Sequence, residues 1–336
     1  MTSARAFTQL LILPHVRVQH ANAISSPLTH GFPSITAFTG LMWALERKCR
    51  SEGMDVSFRA VGVVCHDHDE QVAGNRYVKS LRLTRNPVSK DGSTAAIVEE
   101  GRIHLELSLI FAVRSERWLA DSATQAEDAV RVLELLSSMR IAGGSVLPGR
   151  GHASSQRTRP RVVDLTGSRE ERENVFRRAC MRLLPGFALV SREDLLESRW
   201  NEMRESEPSA TRLDAWLSLV RTNWRYHESG GEPGQPEPKG EWRHDRAGLG
   251  WLRPIPVGYG ALGPLHEAGT VANARDAETR FRFVESVYSV GQWVSPHRLH
   301  EATDLLWYPE TGPDVYRCRN DYRAPAVPAG VDFDLE

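Results

Sequence analysis

Five consecutive side chains, His66, Asp67, His68, Asp69 and Glu70, bring imidazole and carboxylate chemistry into one run directly after a valine-rich segment. Such groups bind divalent metals when they converge from separate elements and are themselves held by further hydrogen bonds. Five adjacent loop residues cannot all point at one ion, so the run reads as a solvated acidic turn, and no metal or other cofactor is expected. Three more histidines, His15, His20 and His30, could support general acid–base chemistry; none has an evident partner, and ordinary structural roles are the simpler reading. Glycines at Gly40, Gly143-Gly144, Gly149 and Gly151 would let backbone N–H groups approach phosphate, or merely make turns. They form no phosphate-binding P-loop, because the lysine and the Ser/Thr that follow it there are missing. Residues 83–87 (LTRNP) and 91–96 (DGSTAA) are basic and hydroxyl-rich, which suits phosphate and ribose 2′-hydroxyl contacts and equally suits a plain solvated loop.

The elements that must position these groups follow from periodicity. Residues 10–19 read as a buried strand and 58–65 as a second. Phe38, Leu41, Met42 and Leu45 recur at helical spacing, so 38–52 reads as an amphipathic helix. In 102–113, Ile103, Leu105, Leu107, Leu109, Phe111 and Val113 alternate with Arg102, His104, Glu106 and Ser108, the mark of a half-buried strand. A helix follows Ser122 as N-cap, and 139–147 offers a last strand interrupted by Gly143-Gly144. This β-α-β-β-α-β order is that of a ferredoxin-like or RNA-recognition-motif fold, in the α+β class. Pro14 conflicts with a central strand because it has no N–H to donate, and a bulge there would remove the conflict.

Between the second and third strands lies an insertion, 67–101, with Arg76, Lys79, Arg82, Arg85 and Lys90; residues 76–83 suit one arm of a protruding hairpin. The expected organisation is a first domain over 1–150 carrying this basic arm, and a mixed α/β region over 151–336. In the latter, helices are expected at 169–184, 193–205 and 213–226, and strands at 251–259 and 281–290. A Gly/Pro/Glu/Ser loop at 228–240 is expected to be mobile.

The chain has 336 residues and a net charge of −1, enough for about two domains and with no overall pull toward nucleic acid. Charge is unevenly spread: residues 140–182 hold ten arginines against four acids. Cys49, Cys65, Cys180 and Cys318 are scattered and read as free thiols. There is no signal-like N-terminus and no run of ~20 apolar residues, so a cytoplasmic protein without membrane contact is expected.

Several stretches together carry a resemblance: QHANAISSPLTHGFPS (19–34), AFTG (37–40), LTRNP (83–87), DGSTAAIVEEG (91–101), MRIAGGSVLP (139–148), RLLPGFALVSR (182–192), RFVE (282–285), SPHR (295–298) and DLLWY (304–308). The chain resembles the second Csy subunit family of type I-F CRISPR systems, a Cas-five-like branch of the RAMP superfamily. That resemblance implies a non-catalytic subunit of the Csy (Cascade) antiviral surveillance complex. It would grip the 5′ handle of the crRNA, pair with the large Csy subunit, adjoin the backbone Csy subunits, and meet target DNA through the assembled complex. No catalytic residue is implied. On chemistry, the RNA-binding candidates are Arg17, Asn22, Arg76, Arg82, Arg85, Asn86 and Arg140 as donors. Gly143 and Gly144 would allow close backbone approach, and Phe32, Trp43 and Tyr77 are stacking platforms. The rival reading is a metal-independent RAMP endoribonuclease using His15, His20 or His30.

Overall fold

A computed structural model describes residues 7–74, 78–82, 88, 91–94, 100–147, 158–228, 240–244, 246, 248–274 and 276–324. Its first half runs β1 (Gln9–Asn22), β2 (Ile24–Ser26), β3 (Thr29–His30), α1 (Ile35–Ser51) and β4 (Ser57–Glu70). A small ribbon, β5 (Val72–Gly74) and β6 (Lys79–Leu81), precedes β7 (Arg102–Arg114), α2 (Glu116–Ala120), α3 (Ser122–Ser137), β8 (Arg140–Ile141) and β9 (Gly144–Leu147). Then come β10 (Arg161–Asp164), α4 (Arg169–Met181), β11 (Phe187–Ser191), α5 (Glu193–Ser206) and α6 (Arg212–Val220). The chain closes with β12 (Trp224–Glu228), β13 (Gly240–His244), β14 (Leu252–Ala261), β15 (Val284–Val294), α7 (Ala302–Leu305), β16 (Trp307–Thr311) and β17 (Val315–Asn320).

The architecture is α+β around one large antiparallel sheet. Its centre is four strands in the order β9-β1-β7-β4. The alternation of β7 decides which face is which. Ile103, Leu105, Leu107, Leu109, Phe111 and Val113 enter a core shared with Phe38, Met42 and Leu45 of α1 and Ala129, Val132 and Leu136 of α3. Among the described residues the opposite face is covered at one end only, where Ile110 and Ala112 meet Leu10, Ile12, Phe176 and Cys180 beneath α4. Arg102, His104 and Glu106 lie at the other end and stay half-buried.

The second half of the chain builds directly onto this sheet. β10 pairs with β1, and the path β4-β16-β17-β14-β15-β11 returns to β4. β4 meets β16 at Val61–Trp307 and β11 at Val64–Ala188 and Cys65–Phe187. Helices α5 and α6 form a third small core against β14 and β15, around Trp216 and Val290.

Three expectations need correction. Residues 66–70 are not a turn: β4 runs to Glu70, paired with Glu106, Leu105, His104 and Ile103 of β7. Ladder hydrogen bonds and a regular partner override the weak strand preference of aspartate. The α3 N-cap is Asp121, whose carboxylate accepts from the Ala123 N–H at 3.0 Å, and Ser122 is the first helical residue. The helix expected over 213–226 ends at Val220, after which Trp224–Glu228 pairs with β13. Alternating Trp224 and Tyr226 suits a ribbon better than a helix. The interrupted strand at 139–147 is a hairpin whose turn residues, Ala142 and Gly143, both have positive φ, as a two-residue turn of this kind demands. The loop at 228–240 falls mostly outside the described residues.

All four cysteines are free thiols. Burial pushes Cys49, Cys65 and Cys180 up to about 12, which keeps them protonated and poorly nucleophilic. No helix among the described residues is long and apolar enough to cross a membrane.

Candidate nucleic-acid interface

Three bulges shape the half-open face of the sheet, and each places a histidine. The β1–β7 register slips between Leu13 and Val16, where buried Pro14 has no N–H to donate and His15 takes a φ of 53°. It slips again between Val18 and Ala21, with His20 at a φ of 56°. The third slip, on β4 between Cys65 and Asp67, turns out His66. The bulge at Pro14 is the one its missing donor demanded.

These residues form a connected polar cluster. His15 donates its backbone N–H to Ser108 Oγ at 3.2 Å, its Nδ1 lies 2.6 Å from Glu106 Oε1, and its ring stacks on His66 at 4.2 Å. His66 Nδ1 is 2.6 Å from the Pro185 carbonyl, which can only accept, so this nitrogen bears the proton. Its Nε2, 2.7 Å from Ser108 Oγ, then accepts from that hydroxyl. A histidine beside a serine is the outline of an activated nucleophile. Ser108, however, is fully buried, and no substrate reaches it. The pair instead ties β7 and β4 to the segment entering β11. Gly186 permits that contact, since a Cβ there would lie 2.8 Å from His66 Nδ1.

Burial, and secondarily the charge of His15, lowers the pKa of His66 below 6.5. A histidine held neutral in the native state binds its proton more readily when unfolded. Stability is therefore at its full value above pH 6.5 and falls as the pH drops through that value toward the lowered native one. Denaturant unfolding at stepped pH should show this slope, and His66→Gln should flatten it. An equal slope in parent and variant would remove His66 as its source.

Beyond this cluster the face is acidic. Glu106 stands opposite both Arg17 and Asp67, and Asp69 stands opposite His104. Together with Gln19 they line a shallow cavity of about 180 Å³. Carboxylates at this density repel phosphate and suit acceptor contacts to base edges or hydroxyls.

The structure gathers most described candidates at one end of the sheet. Arg17 is half-buried, opposite Leu147 of β9. The Asn22 side chain is taken up locally, donating to the Ile24 carbonyl at 2.8 Å and accepting the Ile24 N–H at 3.0 Å, while its backbone N–H meets the Ala142 carbonyl. Arg140 donates to the Gly143 carbonyl at 3.1 Å. Gly143 faces open space, whereas Gly144 packs against β1, where a Cβ would fall 2.6 Å from the Ala21 nitrogen. Arg82 leaves the β5–β6 ribbon and donates Nε to the Val72 carbonyl at 3.1 Å. That ribbon departs from the same sheet end, since the Gln71 N–H bonds the carbonyl of Arg102, which is opposite Asn22. Arg76, Arg85, Asn86 and Tyr77 lie outside the described residues. Phe32 is wedged against Phe38 and Trp293, and Trp43 is 38% exposed on α1. His20 contacts His104, and His30 contacts Glu70, so each of the three histidines engages a different partner. Sequence reading passed over Arg102, His104 and Glu106 as site residues; their signal was the polar half of the β7 alternation.

Fold and face together define an α+β protein built on a long antiparallel sheet, with one polar face left half uncovered and a basic ribbon at its end. The chain belongs to the Csy2 family of CRISPR-associated proteins, whose family model matches residues 11–318. It is similar to the CRISPR-associated protein Csy2 of Pseudomonas aeruginosa (strain UCBPP-PA14), with 48% identity over 313 residues, 92% of this chain and 94% of that protein.

Proposed function

We propose that this chain is a non-catalytic, RNA-binding subunit of a type I-F Csy surveillance complex, one that holds the 5′ handle of the crRNA. It pairs with the large Csy subunit, adjoins the backbone subunits, and meets target DNA through the assembly, in the cytoplasm. The carrying observation is the CRISPR-associated family match across residues 11–318. Supporting it, the strand order β9-β1-β7-β4, with α1 and α3 packed on one face, agrees with the ferredoxin-like arrangement expected of a RAMP domain. The handle would lie at the sheet end where Arg17, Asn22, Arg82, Arg140 and the Gly143-Gly144 turn gather, with Arg76, Arg85 and Asn86 supplied by the insertion. Single-stranded RNA offers its base edges and 2′-hydroxyls there, chemistry that the polar floor can meet.

Incubating the purified chain with end-labelled repeat RNA should retain the RNA intact. The triple variant His15→Ala/His20→Ala/His30→Ala should leave crRNA maturation in cells unchanged. Cleavage by the parent chain, abolished in the triple variant, would establish the endoribonuclease reading instead.

A further inference from the structure

The sequence carries a net charge of −1, yet the C-terminal half of α4 gathers arginines that no carboxylate among the described residues neutralises. Arg177, Arg178 and Arg182 are exposed around Met181, itself 55% exposed. Among the described residues, Arg177 and Arg178 reach only oxygens of Asn174, each at 3.4 Å. Arg182, the C-cap residue, has no ion-pair partner among the described residues. The N-terminal half of the same helix differs: Glu171 closes a capping box with Ser168, and Arg169 pairs with Glu173.

Basic residues near a helix C-terminus complement its dipole, which accounts for Arg178 and Arg182 but not for Arg161. That residue lies on β10, against which α4 packs. Its Nη1 and Nη2 are both buried and have no hydrogen-bond partner among the described residues. A guanidinium cannot shed its proton at any ordinary pH, so its terminal N–H groups remain charged and unsatisfied. Burial, and then the nearby charge of Arg182, disfavours the cation further. An anion with several acceptor oxygens relieves both costs, and phosphate fits the planar fork of arginine.

Register gives the site its place. Arg161 stands opposite Ile12. The outer edge of β1 pairs with β10 over residues 9–12 and with β9 over 17–19. Arg161 therefore borders the Pro14–His15 bulge on the far side from Arg17, away from the end of the sheet where the handle candidates gather.

We propose that Arg161, Arg177, Arg178 and Arg182 bind backbone phosphates of a nucleic acid, on a surface separate from that end of the sheet. This goes beyond the proposed function, since it requires neither base contacts nor a particular RNA. Single-stranded RNA and duplex DNA offer the same phosphate chemistry, and the test separates them.

The test measures binding of the full chain to a short single-stranded RNA and a short duplex DNA, each of arbitrary sequence, over a range of salt. Arg178→Glu/Arg182→Glu should weaken binding about tenfold or more and lower the salt slope by about 1.4 for RNA or about 1.8 for duplex DNA. Whichever nucleic acid responds is the source of the phosphate, and either response supports the surface. Arg161→Met should remove about one contact from the same slope while melting no lower than the parent, because it deletes an unpaired charge. Unchanged affinity and slope in both variants, or no binding of either nucleic acid by the parent, overturns the proposal. If that overturning result comes with handle RNA still retained by the parent, only this surface is removed and the proposed function stands. Loss of handle binding alongside persistent α4-dependent binding would instead remove the proposed function.

Discussion

Replacing Trp307 by alanine should cost this protein about 3–5 kcal/mol of stability, the range for deleting a large buried aromatic side chain. Trp307 is fully buried, and its Nε1 donates to the Leu189 carbonyl of β11 at 2.8 Å. Its backbone stands opposite Val61 of β4. One side chain therefore joins β16, β11 and β4, where the strands of the second half close onto the first. Alanine removes the ring and also strands the Leu189 carbonyl in the interior. Trp307→Phe keeps most of the packing and loses the donor, so it should cost only about 1–2 kcal/mol. Urea unfolding of both variants measures the two terms. A loss below ~1 kcal/mol for Trp307→Ala would mean that this seam contributes little.

The second large effect is expected at Gly144. A Cβ there would lie 2.6 Å from the Ala21 nitrogen, 2.8 Å from its Cα and 2.8 Å from the Gln19 carbonyl oxygen, all backbone atoms that no rotamer change can move. Gly144→Ala must push β9 away from β1, at an expected cost of about 2–3 kcal/mol, the upper part of the overpacking range. Gly143 is the control: it has a φ of 80° and open space for a Cβ, so Gly143→Ala meets only backbone strain, about 1 kcal/mol. If Gly144→Ala unfolds like the parent yet loses RNA, the glycine serves a ligand; if it destabilises as expected, it serves the approach of two strands of its own sheet.

Much of the first half was legible because its signals are local. Period-two alternation along 102–113 specifies a strand with one buried face whatever its neighbours are, and Phe38, Leu41, Met42 and Leu45 specify a helix face in the same way. The demand for a bulge at Pro14 was equally local, because a missing N–H needs no partner to be recognised. Local signals failed where partners decide. Residues 66–70 look like a polar turn until β7 is set beside them, and Trp224–Glu228 looks like the tail of a helix until β13 pairs with it.

The candidate site divides along the same line. Sequence identified Arg17, Asn22, Arg140, Gly143 and Gly144 one by one from their chemistry, and it registered the excess of arginine over 140–182. Only tertiary structure brought β1 and the β8–β9 hairpin to one end of the sheet, and spent the Asn22 amide on its own loop. Only tertiary structure, likewise, separated Arg169, neutralised by Glu173, from Arg161, whose terminal nitrogens find no acceptor among the described residues. Residue type and spacing determine what a segment can do with its own hydrogen bonds and its own apolar face. Which donors and charges remain unspent is set by contacts between residues far apart in the chain, and those exist only once it has folded.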